Sequence, residues 1–202
     1  MKLFVFDTET GGIDSSKHSL LTLAGVVWED GKIIDEIDLT IAEEAIVADP
    51  EALAINKLNL DEIKAKGVSP LTAALMLREF WGRHWQRRPG SWVQLAGHNV
   101  AFDYGFLKRL FQLAAGQDGI TIKHQTLGNI TSFRLLDTMG IALFLALGGH
   151  QPISVAKLDA LLTHYGVGRE GMAHNALSDA RATAGLLTRM LEVTKRVPVV
   201  NG

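Results

Sequence analysis

Two acidic residues stand one position apart at the end of an apolar run near the start of the chain. The run reads FVFDTETGG, residues 4–12, and its acids are Asp7 and Glu9. In a β-strand, side chains at positions i and i+2 share a face, so both carboxylates point the same way. Two carboxylates held together raise each other's pKa unless a cation lies between them. The pair therefore indicates either a cation site or a strand that simply ends in solvent.

Two further acids lie near the starts of predicted helices. Asp103 falls in GHNVAFDYGFL behind Asn99, and Asp179 falls in HNALSDA behind Asn175. Each asparagine can cap its helix. An acid near a helix N-terminus stabilises the helix by about 0.3–1 kcal/mol, which explains either acid taken singly. It does not explain why each acid lies beside the apolar stripe of its helix, facing the sheet.

A histidine precedes the last of these acids, because His174 lies five residues before Asp179. Five helical residues turn by about 500°, so the two side chains converge only if His174 lies in the loop ahead of the helix. From that loop the imidazole can reach over the acids. A loop histidine that is merely exposed is the alternative, and it stays open at this point.

The segments around these residues predict an α/β fold with a mixed central sheet flanked by helices. The runs KLFVFD, SWVQLAG and SFRLLD have the length and composition of buried strands. SLLTLAGVVWEDGKIIDEIDLTI reads as a hairpin that turns at residues 29–32 and adds an antiparallel strand. Helical patterns occupy DPEALAINKL, SPLTAALMLREFWGRHW, NVAFDYGFLKRLFQLAA, SVAKLDALLTHYG and NALSDARATAGLLTRMLEVTKR.

Composition excludes several classes of protein. The 202 residues are 47% hydrophobic with a formal charge of −2, which fits a single domain over residues 1–202 and gives no whole-surface signal for nucleic acid. Without cysteine, the chain has neither disulfides nor thiolate zinc sites. Its first residues are not a signal peptide, and no apolar run approaches the roughly 18 residues of a membrane span. We expect a cytoplasmic protein with no membrane partner.

The motifs FVFDTETGG, GHNVAFDYGFL and HNALSDA, in this order, resemble the three motifs of the DEDDh 3′–5′ exonucleases. This family has the ribonuclease H-like fold and includes the proofreading subunit of bacterial DNA polymerase III. KLDALLTHYGV resembles the family's connecting helix, and the resemblance extends from residue 2 to about residue 195. It implies a metal-dependent enzyme that hydrolyses phosphodiester bonds at the 3′ end of single-stranded or frayed DNA and releases nucleoside 5′-monophosphates.

The resemblance also implies catalytic roles. Asp7, Glu9, Asp103 and Asp179 would hold two divalent cations, Mg²⁺ or Mn²⁺, and His174 would be the general base. The chemistry of these side chains agrees, because hard cations prefer carboxylate oxygens. A neutral imidazole can accept a proton near neutral pH.

Substrate contacts are implied by the same motifs. The backbone of Thr10 and Gly11 would cradle the terminal 3′-hydroxyl, and Ile13 stands where a family leucine wedges between the last two bases. Asn99 and Phe102 match positions of the terminal-nucleotide pocket, with a helix cap and a core aromatic as their alternatives. The family's first motif has Thr-Gly at positions 11 and 12, and one family hydrogen bond to the substrate depends on that threonine.

Three other patterns receive structural interpretations. GVGREG, residues 166–171, matches a dinucleotide-binding motif but follows a helix, so we predict a loop. Asp137 is a candidate fifth ligand, although a strand end or helix N-cap is favoured. The segment Trp81–Arg88 mixes arginine with tryptophan, which suits single-stranded nucleic acid, but a tryptophan spacing of four favours a core stripe with solvated arginines.

Several functions remain open. The leading expectation is a nuclease acting on a single-stranded 3′ end, with DNA favoured over RNA. The alternatives are an exoribonuclease that trims tRNA or short oligonucleotides, a catalytically inactive nucleic-acid-binding relative, and an interaction protein whose acids only cap helices. The sequence also leaves open a polymerase or homodimer partner; the chain stops soon after its last predicted helix, which favours a free-standing enzyme.

Overall fold

The structure is a computed structural model that describes residues 1–85, 92–118, 127–152, 157–171 and 174–195. Within these ranges the strands are β1 (Lys2–Thr10), β2 (Leu20–Glu29), β3 (Lys32–Thr40), β4 (Leu95–Gly97) and β5 (Leu136–Asp137). The helices are α1 (Pro50–Asn56), α2 (Leu60–Lys66), α3 (Pro70–His84), α4 (Val100–Asp118), α5 (Leu127–Ile130), α6 (Thr138–Leu147), α7 (Leu158–Tyr165) and α8 (Ala176–Lys195). No helix within the described residues combines the length and the apolar character that crossing a bilayer demands.

The strands form a mixed sheet in the order β3-β2-β1-β4-β5. Strand β2 runs antiparallel to β1 and β3, whereas β4 runs parallel to β1 and β5 parallel to β4. The predicted hairpin turns at Asp30 and Gly31, whose φ angles of 49° and 94° are those of a two-residue turn between antiparallel strands. The predicted α/β class, with one antiparallel strand in a mixed sheet, is confirmed.

Strand β1 is buried on both faces, and its alternating side chains join two different layers. Phe4 and Phe6 pack in the cluster formed with α3 and α4, where the Phe4 ring lies 5.5 Å from the Trp81 ring. Leu3 and Val5 point to the opposite face and pack against α8. Because side chains alternate along a strand, even-numbered residues of β1 face α3 and α4, and odd-numbered residues face α8.

Most predicted helices are present. Helices α1 and α3 begin at the predicted prolines, Pro50 and Pro70. The helices α2, α5 and α6 were not among the predicted helical segments, although the N-cap interpretation of Asp137 anticipated a helix where α6 begins. Trp81 is fully buried in the core, which confirms the structural interpretation of that position. Three predicted features lie partly outside the described residues. They are residues 86–88 of the Trp81–Arg88 segment, Ser91 of a predicted strand and residues 154–156 of a predicted helix.

Candidate active site

Three of the predicted acids meet where β1 ends and α8 begins. Asp7 and Glu9 are odd-numbered residues of β1 and therefore face α8, whose first turn contains Asp179. One carboxylate oxygen from each of the three lies within 4.8 Å of the others. Asn175 caps α8 as predicted, since its Oδ1 accepts a hydrogen bond from the Ser178 N–H at 3.0 Å. The cap and the strand register together bring these three acids into one group.

Asp103 approaches from the other face of the sheet. It is only 3% exposed in the first turn of α4. Its Oδ1 accepts hydrogen bonds from the Thr8 N–H at 2.9 Å and from the Thr8 hydroxyl at 2.6 Å. Thr8 is an even-numbered residue of β1, so its side chain faces α4 rather than α8. Asp103 is therefore held beside the group of three rather than within it, and Thr8 is a residue that the motifs did not mark as functional.

The turn before α4 differs from the predicted helix cap. Asn99 has a φ of 58°, in the left-handed region, instead of the extended conformation usual for an N-cap. Its N–H donates to Oδ1 of Asp137 at 2.9 Å, and the same oxygen accepts from the Met139 N–H at 2.9 Å. Asp137 is thus the N-cap of α6, as favoured from the sequence, and it also fixes Asn99.

Phe102 follows on the first turn of α4 and is half-buried. It packs against the core formed by α3 and α4, with its ring 5.1 Å from the Phe106 ring. This contact agrees with the alternative interpretation of Phe102 as an aromatic residue of the core. The contact of Phe102 with a terminal nucleotide stays a prediction.

The electrostatics of the site favour protonation of its acids when no cation is bound. Burial raises the pKa of Glu9 to about 7, with Asp179 and Asp103 adding to the rise. Burial raises the pKa of Asp103 to about 7 despite the two hydrogen bonds from Thr8, which lower it. The pKa of Asp7 lies well above its usual range because of burial first and then the charges of Asp103, Glu9 and Asp179.

Arg169 supplies a positive charge to this site. Its guanidinium bridges the carboxylates of Asp179 and Asp159, pairing with Oδ1 of each. Burial raises the pKa of Asp179, and Arg169 is the main influence that lowers it. Arg169 lies in the segment 166–171, which is the predicted loop after a helix, and Gly166 ends α7 with a φ of 62°. Nothing in the loop's sequence marked this arginine as a partner of the acids.

His174 lies in the loop directly before α8, as the spacing predicted. Its φ is 60° and its side chain is exposed. A backbone hydrogen bond from His174 and the charge of its ring both lower the pKa of Asp179. The imidazole therefore belongs to the surroundings of Asp179.

The glycines after β1 are explained by close packing. A Cβ at Gly11 would overlap the carbonyl oxygen of Val47, and a Cβ at Gly12 would lie 2.6 Å from the His18 ring. The family's threonine has no room at position 11. Thr10 is held by its carbonyl, which accepts from Asn56 Nδ2 at 3.1 Å. Ile13 lies on the same loop, 87% exposed.

The donor set fits hard divalent cations. The group of three contributes carboxylate oxygens alone, the ligand type that Mg²⁺ and Mn²⁺ prefer. Burial is the main cause of the raised pKa values of Asp7 and Glu9, and neighbouring carboxylates add to it, so a bound cation would stabilise the charged forms of both acids. The acidic cluster predicted from the sequence is therefore present, with Asp103 beside it.

Comparison with known proteins places the chain in a family. The model of the exonuclease family, RNase_T, matches residues 4–187. Over 199 residues the chain is 28% identical to the PolC-type DNA polymerase III of Latilactobacillus sakei subsp. sakei, covering 98% of this chain and 12% of the relative. With the corresponding protein of Listeria welshimeri it shares 25% identity over 201 residues, or 98% of this chain and 12% of that one. The chain thus spans about an eighth of the length of these relatives.

Solved structures show the same fold. Escherichia coli exonuclease I, in complex with a dT13 oligonucleotide, matches with a TM-score of 0.70 and 17% identity, covering 96% of this chain and 42% of that one. Exonuclease X, in complex with 5′ overhanging duplex DNA, matches with a TM-score of 0.64 and 19% identity, covering 96% and 93%. These likenesses establish the ribonuclease H-like fold. The family match over residues 4–187 shows that the chain belongs to the exonuclease family, and its three motifs are those of the DEDDh 3′–5′ group.

Proposed function

We propose that this exonuclease is a metal-dependent enzyme that removes nucleotides from the 3′ end of single-stranded or frayed DNA, releasing nucleoside 5′-monophosphates. The observation that carries the proposal is the convergence of Asp7, Glu9 and Asp179, whose carboxylate oxygens lie within 4.8 Å of one another beside the His174 loop. Acids that serve only as helix caps have no need to meet the end of a strand. We further propose that residues 1–202 act as one domain.

Two divalent cations, Mg²⁺ or Mn²⁺, would be held by Asp7, Glu9, Asp103 and Asp179. When bound, such a pair stabilises the charge that develops on the attacking and leaving oxygens of a phosphodiester. Asp103 keeps an oxygen for this purpose, because both hydrogen bonds from Thr8 go to Oδ1. The four negative carboxylates also repel the substrate phosphate, so the phosphate enters the site only when bound cations neutralise their charge.

His174 acts as general base in this proposal. A neutral ring nitrogen of the exposed imidazole takes the proton of the attacking water, and His174 returns the proton to solvent. Its position ahead of α8 lets the ring turn toward Asp179 without moving the helix. The exposed side chain, on a backbone held by Asp179, supports this role.

The 3′ end is held by the loop that follows β1. The backbone of Thr10 and Gly11 contacts the terminal hydroxyl, Ile13 stacks between the last two bases, and Asn99 and Phe102 line the nucleotide pocket. The exposure of Ile13, 87%, supports a stacking role, because an aliphatic side chain gains from covering a base. DNA is favoured as substrate because the structural neighbours named above were solved with DNA.

The test compares three substrates labelled at the 5′ end: matched single-stranded DNA, duplex DNA with a mismatched 3′ end, and RNA of the same sequence. Each is incubated with Mg²⁺, with Mn²⁺, or with a chelator. We expect shortening from the 3′ end on single-stranded and mismatched DNA, and none with chelator. Faster degradation of RNA would identify an exoribonuclease, and inactivity on all three would indicate a binding relative.

A matched pair of variants ties the activity to the site. Asp7→Asn removes one carboxylate ligand, so we expect loss of turnover and a much weaker Mn²⁺-binding signal in titration calorimetry. Asp61→Asn changes an exposed acid in the first turn of α2 and should behave as wild type. An Asp7→Asn enzyme with the wild-type rate and wild-type Mn²⁺ binding would contradict the ligand assignment.

A further inference from the structure

A buried ion pair outside the acid cluster has no part in the proposed chemistry. Glu43 is 8% exposed, and its carboxylate accepts hydrogen bonds from the Ser19 hydroxyl at 2.9 Å and the Leu20 N–H at 3.1 Å. Arg109 donates to the same carboxylate through Nε at 3.0 Å and Nη2 at 2.7 Å. Four donors on one buried carboxylate make a fully satisfied charge, which is costly to assemble and rigid once formed.

The remaining nitrogen of Arg109 reaches the loop that carries Ile13. Nη1 donates to the carbonyls of Ser15 and Ser16, each at 3.4 Å. Arg109 lies on α4, six residues after Asp103. A single planar guanidinium therefore connects the helix that holds Asp103 to the segment of residues 11–19, which we call the Ile13 loop.

Both ends of the Ile13 loop are fastened as well. The Gly11 N–H donates to the Ser19 carbonyl at 2.8 Å, and the Asp49 N–H donates to the Gly11 carbonyl at 2.6 Å. The Ser19 N–H donates to the Val47 carbonyl at 2.9 Å. Ile13 is thus an exposed apolar side chain on a loop whose base and middle are both fixed by hydrogen bonds.

We propose that the Glu43–Arg109 pair is a positioning device that holds Ile13 where the last two bases of the substrate meet it. The inference depends on the proposed function, because it assigns the rigidity to binding of a nucleic-acid 3′ end. A side chain held in its bound position avoids the ordering cost that a mobile loop would pay, so it binds more tightly. The side chains of Arg109 and Glu43 are only 17% and 6% exposed and are paired with each other, so the pair acts on the substrate through Ile13.

The test uses two substrates that differ in whether Ile13 has two bases to contact. A 5′-labelled single-stranded DNA offers a terminal and a penultimate base. The p-nitrophenyl ester of thymidine 5′-monophosphate offers one base only and reports on the chemistry. Arg109→Lys keeps the positive charge beside Glu43 but loses the fork that reaches both Glu43 and the loop carbonyls. Arg189→Lys, in the exposed pair with Glu192, is the matched control.

For Arg109→Lys we expect KM for the oligonucleotide to rise about tenfold, with kcat/KM for the ester within about twofold of wild type. Ile13→Ala should raise KM for the oligonucleotide by a similar factor. Because Arg109 acts through Ile13, the double variant should be no worse than Ile13→Ala alone. An equal loss on both substrates, additive effects in the double variant, or an unchanged KM for the oligonucleotide would overturn the proposal.

A second variant and the activity of the wild-type protein separate loss of folding and loss of enzyme activity from loss of positioning. If Arg109→Lys does not fold, the paired variant Glu43→Gln with Arg109→Met replaces it, since it removes both charges and leaves a carbonyl for the Leu20 N–H. Wild-type protein that hydrolyses neither substrate with Mn²⁺ would instead refute the proposed nuclease function. Failure of the positioning role and failure of the enzyme assignment therefore give different results.

Discussion

Thr8 donates both its backbone N–H and its hydroxyl to one oxygen of Asp103, at 2.9 and 2.6 Å. Thr8 stands between Asp7 and Glu9, yet its side chain points to the opposite face of the sheet. Strand β1 therefore holds Asp103 on its α4 face through Thr8, while Asp7 and Glu9, on either side of Thr8, point to the α8 face. A site assembled from both faces depends on this threonine for its alignment.

The first prediction concerns the general base. His174→Ala removes the proposed proton acceptor and leaves the acids in place, so kcat should fall by roughly 10²–10⁴. His150→Ala, at another exposed histidine, is the control and should retain wild-type kcat. The measurement is steady-state hydrolysis of labelled single-stranded DNA with Mg²⁺. A loss of less than tenfold would point to another base.

The second prediction concerns pH and cations. The pKa values of Glu9 and Asp103 are raised to about 7, so the folded protein binds protons that the unfolded chain releases near pH 4. Their contribution to stability is complete below about pH 4 and is lost as the pH rises through about 7. In chelator, Tm should therefore fall across this window by more than about 5 °C. With Mg²⁺ the fall should disappear, and a Tm independent of pH in chelator would contradict the raised pKa values.

The third prediction concerns the charge on Asp179. Arg169 and a cation compete for the same carboxylate, so Arg169→Gln should tighten Mn²⁺ binding. A charge-assisted pair at this burial contributes on the order of 1–2 kcal/mol, which corresponds to about tenfold in affinity. Titration calorimetry at pH 8 measures the change, with Arg189→Gln as control. Weaker Mn²⁺ binding in Arg169→Gln would show that the arginine orients Asp179 instead.

The fourth prediction concerns the left-handed turn at Asn99. Asp137→Ala removes the cap of α6 and the acceptor for the Asn99 N–H, so the free energy of unfolding should fall by about 1–2 kcal/mol. Asp137→Asn keeps an Oδ1 acceptor and should lie within about 0.5 kcal/mol of wild type. Urea denaturation of both variants provides the comparison. Equal losses in the two would mean that the negative charge, and not the hydrogen bonds, is what matters.

The fifth prediction concerns Gly11, where the family has threonine. Gly11→Thr should not restore the family's hydrogen bond, because its Cβ would overlap the Val47 carbonyl. We expect a loss of about 1–3 kcal/mol in stability and a raised KM. Gly128→Thr is the control for replacing glycine with threonine, because a Cβ added at Gly128 would meet nothing within 4 Å. A stable Gly11→Thr protein with improved KM would refute the steric explanation.

Local patterns predicted much of the fold and of the site. Alternation along β1 was enough to place Asp7 and Glu9 on one face, since the period of a strand is fixed by its geometry. Asn175 marked the start of α8, which placed Asp179 in its first turn and His174 in the loop. The hairpin at Asp30 and Gly31 followed from turn chemistry. Each of these features depends on a local pattern of about ten residues or fewer.

Features that depend on contacts between distant segments were not predictable. Glu43 and Arg109 are separated by 66 residues, and neither has a local pattern that marks it as buried. Arg169 lies only ten residues from both Asp159 and Asp179, but its pairing with them depends on the conformation of residues 166–171, which no local pattern specifies. The sequence also could not tell that Asp103 and Asp179 reach β1 from opposite faces, because the side on which a helix covers the sheet is a property of the topology.

The group formed by Asp7, Glu9 and Asp179 joins positions 172 residues apart in the chain. Contacts of such long range close late in folding, after shorter loops have formed. During synthesis on the ribosome, β1 emerges well before α8. Asp7 and Glu9 are therefore present before Asp179 has been synthesised. The proposed cation site is therefore complete only in a chain that has been translated through α8, because α8 carries Asp179.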